Sequence, residues 1–289
     1  MAIDPDHLLA LDIPAVEQSY TERDTMLYAL GIGYGHDPLD EKALRYCYEK
    51  DLRAAPTMPV AIAHPGFWMR DLDTGIDWKK IVHGEQELEL HGEIPVAARV
   101  VSKARVTDVI DKGPGKGAVV IFERDLIDAD SNRLIATMRQ SNFCRGDGGF
   151  SKGAAPTAAR PPAPSPQAGA PDMVVNLPTR PETALIGRLC ADPNPLHVEV
   201  AAARAAGFDR PILHGLISYG IAAHAIVKAV CDFDASRLRR ISCRFAGIIY
   251  PGETVSVEIW RNEAEFSFRA ICLERQTTIL SNGSASLAG

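Results

Sequence analysis

Alternating apolar and polar positions mark two groups of strands, one in each half of the chain. The alternation has a period of two residues, which is typical of strands with one buried face. In the first half it predicts strands over residues 80–90, 95–110, 117–128 and 132–145. In the second half it predicts strands over residues 239–249, 253–261, 264–273 and 277–287.

Helical segments precede the second group of strands. Residues 181–190 have helical character, and so does a short segment over 198–206 that ends at Gly207, a residue type favoured just after a helix. A longer helix over 216–230 is rich in Ala and Gly, so a curved sheet can approach it closely. Helices packed against mostly antiparallel strands predict an α+β fold.

A segment of unusual composition separates the two groups of strands. Residues 146–171 are mostly Gly, Ala, Pro and Ser, and Phe150 is the only large apolar side chain among them. Such a segment cannot build a core and favours an extended connection. We therefore predict an N-terminal domain over residues 1–150, a linker over 151–171 and a C-terminal domain over 172–289.

The two halves repeat one another. Three short matches occur in the same order at an offset of about 157–160 residues, which favours one duplication over chance similarity. The matched strings start at Asp24 and Glu182, at Pro38 and Pro195, and at Gly92 and Gly252. At one place the second half has Asp192, Asn194 and His197. There the first half has Gly35, Asp37 and Asp40, so any chemistry at this place survives only in the second copy.

Composition narrows the class of protein. The 289 residues carry a net charge of −6, which does not fit a nucleic-acid-binding domain with a basic stripe. No apolar run approaches the ~20 residues of a membrane helix, and the N-terminus lacks the pattern of a secretory signal. The six cysteines form no Cys-x-x-Cys pair, so we expect reduced thiols in a cytoplasmic protein.

The loop over residues 191–197 is the strongest candidate for chemistry. Two prolines at alternate positions exclude a helix and push Asp192 and Asn194 into extended geometry, so both project to one side, with His197 following. A carboxylate, an amide and an imidazole that converge can hold one water and exchange protons with it. Two alternatives stay open: an Asx-type turn that only bonds nearby backbone, and a metal site.

A glycine at the start of the longest predicted helix is a second candidate. Gly215 lies where backbone N–H groups lack partners and the helix dipole favours negative charge. These groups could stabilise a thioester oxygen that becomes an enolate, as an oxyanion hole does. Taken alone, His214 and Gly215 indicate only a tight turn.

These residues carry a family resemblance. The stretch LIGRLCADPNPLHVEVAAARAAGFDRPILHGLISYG resembles the hydratase type 2 motif of MaoC-like (R)-specific enoyl-CoA hydratases, and residues 244–252 continue the match. The first half is similar to the N-terminal half of the hydratase unit in the peroxisomal multifunctional β-oxidation enzyme, for example over residues 27–33, 45–50 and 81–86. Ala191 and Pro193 depart from the Gly and Trp that the family often has.

The resemblance implies a double hot-dog fold, in which two antiparallel sheets each wrap a helix and pack side by side. It implies a catalytic C-terminal hot dog and a degenerate N-terminal one that binds the acyl tail. The implied catalytic residues are Asp192, His197, Asn194 as the water-orienting amide, and Gly215 as the N–H donor to the thioester. The implied substrate and CoA contacts are His83, Gly84, Lys112, Pro193, Pro195, Leu196 and Phe245.

The implied reaction is (3R)-specific hydration of trans-2-enoyl-CoA in acyl-CoA metabolism such as β-oxidation. The alternatives are a hydratase or dehydratase for branched, dicarboxylic or steroid side-chain acyl-CoA, and a non-catalytic acyl-CoA-binding subunit. We expect the protein to form a homodimer and to bind an acyl-CoA thioester as its substrate. We expect it to bind no nucleic acid, membrane, metal or further cofactor. Pro56, Pro59, Pro65 and Gly66 exclude a long helix in the first half, which predicts an apolar trough for a long or bulky tail.

Overall fold

A computed structural model of the chain describes residues 3–151, 169–190, 192–262 and 265–288. Most of the predicted linker, residues 152–168, and the unusual Ala191 lie outside the described residues. The described part forms a large antiparallel sheet with helices on its concave side, which confirms the α+β class.

The first half contains four short helices and five strands, and four of these strands follow the last helix. The helices are α1 (Pro5–Leu9), α2 (Glu22–Gly31), α3 (Glu41–Leu44) and α4 (Trp68–Asp71), with single 3-10 turns over Met58–Val60 and Trp78–Lys80. The strands are β1 (Ile13–Tyr20), β2 (Ile81–Leu90), β3 (Ala98–Asp111), β4 (Ala118–Asp128) and β5 (Leu134–Cys144).

The second half repeats this order with one longer helix. Its helices are α5 (Thr183–Cys190), α6 (Val200–Ala205) and α7 (Gly215–Ala229), with 3-10 turns over Pro195–His197 and Ala235–Arg237. Its strands are β6 (Met173–Pro178), β7 (Leu238–Phe245), β8 (Thr254–Asn262), β9 (Glu265–Cys272) and β10 (Thr277–Leu287).

The eight predicted strands are confirmed, with two omissions and one wrong end. Strands β1 and β6 were not predicted because they lie at the two edges of the sheet, where β1 buries only its first and last residues. The strand predicted over 239–249 stops at Phe245. Beyond it, the N–H groups of Ala246 and Gly247 both donate to the Ile279 carbonyl, which ends the regular ladder.

The sheet order shows the duplication directly. The ten strands run β1-β3-β4-β5-β2-β7-β10-β9-β8-β6, so each half contributes the same order in mirrored sequence around the β2–β7 pair. The predicted picture of two separate sheets is therefore corrected in one detail: β2 and β7 pair antiparallel and join both sheets into one. Ion pairs Arg240–Glu87 (2.6 Å) and Arg239–Glu89 (3.0 Å) cross this junction.

The two halves fill their concave faces differently. Helix α7 lies in the second half with residues 217–227 all buried, as the Ala- and Gly-rich sequence predicts. Gly220 lets it approach α2, because a Cβ there would lie 2.5 Å from Ile32 Cγ2. In the first half, residues 45–80 form only the four-residue helix α4 and two 3-10 turns, which confirms the expected absence of a long helix before Ile81.

The predicted state of the cysteines is confirmed, since all six are free thiols. In the described part of the chain, no helix is long and apolar enough to cross a bilayer.

Candidate active site

The loop after α5 is built from two successive Asx-type turns. Asp192 Oδ1 accepts the N–H of Asn194 (2.9 Å), and Asn194 Oδ1 accepts the N–H of Leu196 (3.1 Å). The Asx-type turn considered as an alternative is therefore present, and it uses Oδ1 of Asp192 and Oδ1 of Asn194. These bonds hold the loop open and leave Asp192 Oδ2 available on its other side, so the turn and a chemical role coexist.

His197 has one nitrogen committed and one available. Its Nδ1 lies 2.9 Å from the Ile212 carbonyl oxygen, which can only accept, so Nδ1 carries the proton. Nε2 then presents a lone pair, and it lies 3.8 Å from Asp192 Oδ2. Two acceptors at that distance do not bond each other, but a water between them can donate one hydrogen to each.

His214 supports this pair, although sequence reasoning assigned it only a turn. Its ring stacks on His197 with centroids 3.7 Å apart, and its Nε2–H donates to the Asp192 carbonyl oxygen at 3.1 Å. The buried Nδ1 has no hydrogen-bond partner and faces Gly187, where a Cβ would lie only 3.0 Å away. The spacing of His197 and His214 along the chain carries no periodic signal that could have predicted this contact.

Burial keeps both imidazoles neutral. It lowers the pKa of His197, against the opposing effects of the Ile212 carbonyl and the Asp192 carboxylate. Burial, together with His197, lowers the pKa of His214 to about 4. At neutral pH, His197 Nε2 is therefore an acceptor, as a general base must be.

The same three residues do not complete a metal site. Asp192, His197 and His214 each place one candidate ligand atom within 4.8 Å of the others. One nitrogen of each histidine already donates to a carbonyl, and the remaining nitrogen of His214 faces Gly187 instead of the open side of the loop. Two donors remain, whereas a catalytic zinc usually has three protein ligands.

Gly215 is the first residue of α7, so its N–H has no partner within the helix. It is exposed on one side, and on the other Phe245 packs so closely that a Cβ on Gly215 would lie 3.2 Å from Phe245 Cε1. The Phe245 ring in turn contacts His83 edge to face, with centroids 4.5 Å apart. The predicted contacts Phe245 and His83 thus meet beside the start of α7, although they come from different halves.

The other predicted contacts surround this centre at different distances. Gly84 sits at a bulge in β2, where the register with β5 shifts between His83 and Glu85. Pro193 and Pro195 are exposed and Leu196 is half-buried on the catalytic loop. Lys112 lies apart, on the glycine-rich turn between β3 and β4, and no described contact joins it to the loop.

Asp111 anchors the turn that carries Lys112. Its carboxylate accepts the N–H groups of Gly113 (2.8 Å), Gly149 (2.7 Å) and Ser151 (2.8 Å), and these bonds hold its pKa well below its ordinary value. Two distant glycine-rich segments are thereby tied together under the turn. Sequence reasoning missed this residue because its partners are backbone groups.

The corresponding loop in the first half has only structural contacts. Asp37 Oδ1 accepts the Leu39 N–H (2.9 Å), and Asp40 Oδ1 accepts the Ala43 N–H (3.1 Å) at the start of α3. Asp40 also faces Lys228 at 3.6 Å. This agrees with the inference that the first copy has lost the acid–base set.

A larger cleft lies away from this site. About 670 Å³ of space opens where β2 ends and β7 begins, at the opposite ends of these strands from His83 and Phe245. Its arginines, Arg53 and Arg239, are paired with Asp234 and Glu89.

Comparison with known proteins agrees with this geometry. Residues 18–146 match the model for the MFE-2 hydratase 2 N-terminal domain, and residues 164–282 match the MaoC like domain. Enoyl-CoA hydratase ChsH3 of Mycobacterium tuberculosis is 35% identical over 294 residues, covering 98% of both chains. Probable enoyl-CoA hydratase 2 of Dictyostelium discoideum is 35% identical over 295 residues, covering 99% of this chain and 97% of the other.

A solved structure shows the same architecture. The crystal structure of a MaoC-like dehydratase from Phytophthora capsici superposes with a TM-score of 0.84 at 28% identity, covering 98% of each chain. A structure from Mycobacterium tuberculosis with a TM-score of 0.56 is itself described as a double hot dog. The predicted double hot-dog fold is confirmed, and the chain belongs to the enoyl-CoA hydratase 2 family, with an MFE-2-type N-terminal half and a MaoC-like C-terminal half.

Proposed function

We propose that this protein hydrates trans-2-enoyl-CoA to (3R)-3-hydroxyacyl-CoA. The observation that carries the proposal is the pair of acceptors, His197 Nε2 and Asp192 Oδ2, which lie 3.8 Å apart near the start of α7. That spacing suits one water that donates a hydrogen to each group. Family membership supports the same reaction, since relatives across the full length are named as enoyl-CoA hydratases.

The bound water supplies every atom that the reaction adds. Its oxygen bonds to C3 of the enoyl group while the Asp192/His197 pair takes one of its protons. The pair returns one proton to C2, so the enzyme ends in its starting state. Because the two groups face the same water, the geometry does not single out either one as the base.

The start of α7 stabilises the charge that develops on the thioester. As C3 is attacked, electrons move through the double bond to the thioester oxygen, which becomes an enolate. The free N–H of Gly215 and the positive end of the helix dipole can both stabilise that oxygen. In this arrangement, Asn194 uses its Oδ1 to hold the loop, which leaves its Nδ2 to orient the water.

The remaining contacts fall on the CoA ester. His83, Gly84 and Phe245 line the approach to Gly215, and Pro193, Pro195 and Leu196 form the rim of the loop. Lys112 supplies a positive charge for the anionic CoA portion. The first half contributes His83 and the surface that receives the acyl tail, which gives it a binding role without acid–base groups.

The test is a rate measurement on purified variants. Asp192→Asn and His197→Ala should each lower kcat by ~10²–10⁴, since each removes a positioned acid–base group. Asp37→Asn, in the corresponding loop of the first half, is the matched control and should keep the full rate. Folded Asp192→Asn or His197→Ala protein with an unchanged rate would overturn the proposal.

Two product assays complete this test. Oxidation of the product by a (3R)-specific but not a (3S)-specific dehydrogenase establishes the stereochemistry. Release of free thiol from the substrate would instead indicate thioester hydrolysis. Four further expectations rest on the sequence: a homodimer, a cytoplasmic location, a role in β-oxidation, and independence from a metal or cofactor. Size-exclusion chromatography tests the homodimer, and activity after treatment with a chelator tests the independence from a metal.

A further inference from the structure

An exposed tryptophan precedes the strand that carries His83. The Trp78 side chain is 44% exposed, and it begins the 3-10 turn Trp78–Lys80 that leads directly into β2. Five residues of chain span at most ~18 Å, which limits the distance between the Trp78 and His83 Cα atoms. His83 contacts Phe245 beside Gly215, so the indole lies close enough to meet a long ligand whose thioester is bound at Gly215.

Positive charges surround the exposed indole. Lys79 Nζ lies 5.7 Å from the centre of the indole ring, and the Arg70 guanidinium carbon lies 6.0 Å from it. Arg70 is paired with its neighbour Asp71 (2.6 Å), and Lys80 is paired with Asp77 (2.8 Å). Among the described residues, no carboxylate lies within ion-pair distance of Lys79, so its charge is available to an anionic ligand.

One segment joins this 3-10 turn to the glycine-rich turn between β3 and β4. Residues 144–151, which we call the bridging segment, follow β5 and contact both turns. On one side, the Asp147 carboxylate accepts the Asp77 N–H at 3.1 Å. On the other side, a Cβ on Gly148 would lie 2.7 Å from the Gly113 carbonyl oxygen, so the two backbones are in close contact. The indole and the glycine-rich turn therefore lie at the same end of the first-half sheet.

This end of the sheet is positively charged, although the chain as a whole has a net charge of −6. Residues 77–80, 111–117 and 144–151 together carry five cations and three carboxylates. Four of the cations are exposed, whereas one carboxylate is buried among three backbone N–H groups. The cations are Lys79, Lys80, Lys112, Lys116 and Arg145, and the carboxylates are Asp77, Asp111 and Asp147. Such a local excess raises the concentration of anionic ligands near this surface.

We propose that the Trp78 indole stacks on the adenine of the CoA substrate and that Lys79 binds one of its phosphates. The proposal rests on the enoyl-CoA hydratase function proposed above and assigns further binding residues for its substrate. A CoA thioester held at Gly215 leaves its nucleotide outside the opening at the start of α7, with an aromatic base and several anionic phosphates to bind. An exposed indole stacks on any base, and an unpaired lysine beside it attracts the phosphates.

Tryptophan fluorescence tests this contact without relying on catalysis. Trp78 is the exposed one of the three tryptophans, since Trp68 and Trp260 are 6% and 4% exposed. CoA and adenosine 3′,5′-bisphosphate, its nucleotide end, should therefore quench part of the fluorescence, whereas pantetheine should not. Trp78→Phe should abolish the quenching. Trp78→Ala should weaken CoA binding at least fivefold by calorimetry, because stacking a base on an aromatic ring changes Kd about five- to hundredfold. Unchanged fluorescence while calorimetry shows that CoA binds would overturn the inference.

A rate comparison then separates the nucleotide from the rest of the substrate. We measure kcat/KM for trans-2-hexenoyl-CoA and for trans-2-hexenoyl-pantetheine, which lacks the nucleotide. Trp78→Ala and Lys79→Ala should each lower the ratio of the CoA ester to the pantetheine ester at least fivefold, with the pantetheine ester unaffected. Tyr48→Ala, at a similarly exposed aromatic residue after α3, is the control and should keep the ratio.

The two proposals fail in different ways. An unchanged ratio in Trp78→Ala would overturn this inference and leave the hydratase function standing. If the unchanged protein hydrated neither ester, the proposed function would fail, and the fluorescence experiment would still decide whether Trp78 contacts the nucleotide.

Discussion

Replacing Gly187 by alanine tests whether His214 positions the acid–base pair. Gly187 is a buried residue of α5 beside the Nδ1 edge of the His214 ring, whose face stacks on His197. An added Cβ would lie 2.9 Å from Ile217 Cγ1 and 3.0 Å from His214 Nδ1, whereas ordinary contacts are 3.4–4 Å. Either α5 or the imidazole must therefore move by roughly half an ångström.

The expected magnitudes follow from these contacts. Alanine gains about 1 kcal/mol of helix propensity over glycine, and overpacking costs about 1–3 kcal/mol, so the protein should lose between about 0 and 2 kcal/mol of stability. If the imidazole moves, the bond from His214 to the Asp192 carbonyl is lost or lengthened. A neutral hydrogen bond contributes about 0.5–1.5 kcal/mol, which corresponds to a fall in kcat of about 2- to 12-fold.

The assay follows the loss of the conjugated double bond of an enoyl-CoA at a temperature where thermal unfolding shows all variants to be folded. The control is Leu185→Ala on the same helix, where the side chain is 51% exposed and far less constrained. Gly187→Ala should lower kcat with little change in KM, and Leu185→Ala should leave kcat unchanged. A folded Gly187→Ala protein with full kcat would show that His214 does not position the pair.

Two further predictions concern CoA binding and acid stability. Lys112→Ala should raise KM for the CoA ester more than it lowers kcat, and Asp111→Asn should do the same because it loosens the turn that carries Lys112. If the affinity for free CoA drops in Lys112→Ala but not in Asp111→Asn, the bonds of Asp111 do not matter for CoA binding. Burial lowers the pKa of His224 to about 4, below the ~6.5 of the unfolded chain. Its contribution to stability is therefore complete above about pH 6.5 and is lost as the pH falls toward 4. Melting temperatures should fall between pH 7 and pH 5, and less steeply in His224→Gln; a flat profile would contradict this.

The sequence predicted the strands that lie inside the sheet, because each buries one face and so alternates with a period of two. It failed for β1 and β6, since an edge strand has little to bury and shows no alternation. The breaking residues of the first half predicted the absence of a long helix there. Periodicity could not show that Gln86, Arg124 and Gln140 meet on the uncovered face, because they come from three different strands.

The candidate site also has a part that the sequence predicted and a part that it did not. The sequence predicted the parts of the site that depend on neighbouring residues. Two prolines and three polar residues identified the catalytic loop, and the predicted start of a helix identified Gly215 as a candidate N–H donor. The comparison of the two halves showed which copy had kept the acid–base set. These conclusions needed only residues close in sequence or aligned by the repeat.

Contacts between distant residues were decided by the tertiary structure alone. The Ile212 carbonyl selects the tautomer of His197, and His214 stacks on that ring because Gly187 leaves room for it. The β2–β7 pairing brings His83 of one half against Phe245 of the other. Such contacts depend on how the sheet curves and which strands pair, and no local pattern of residues encodes either.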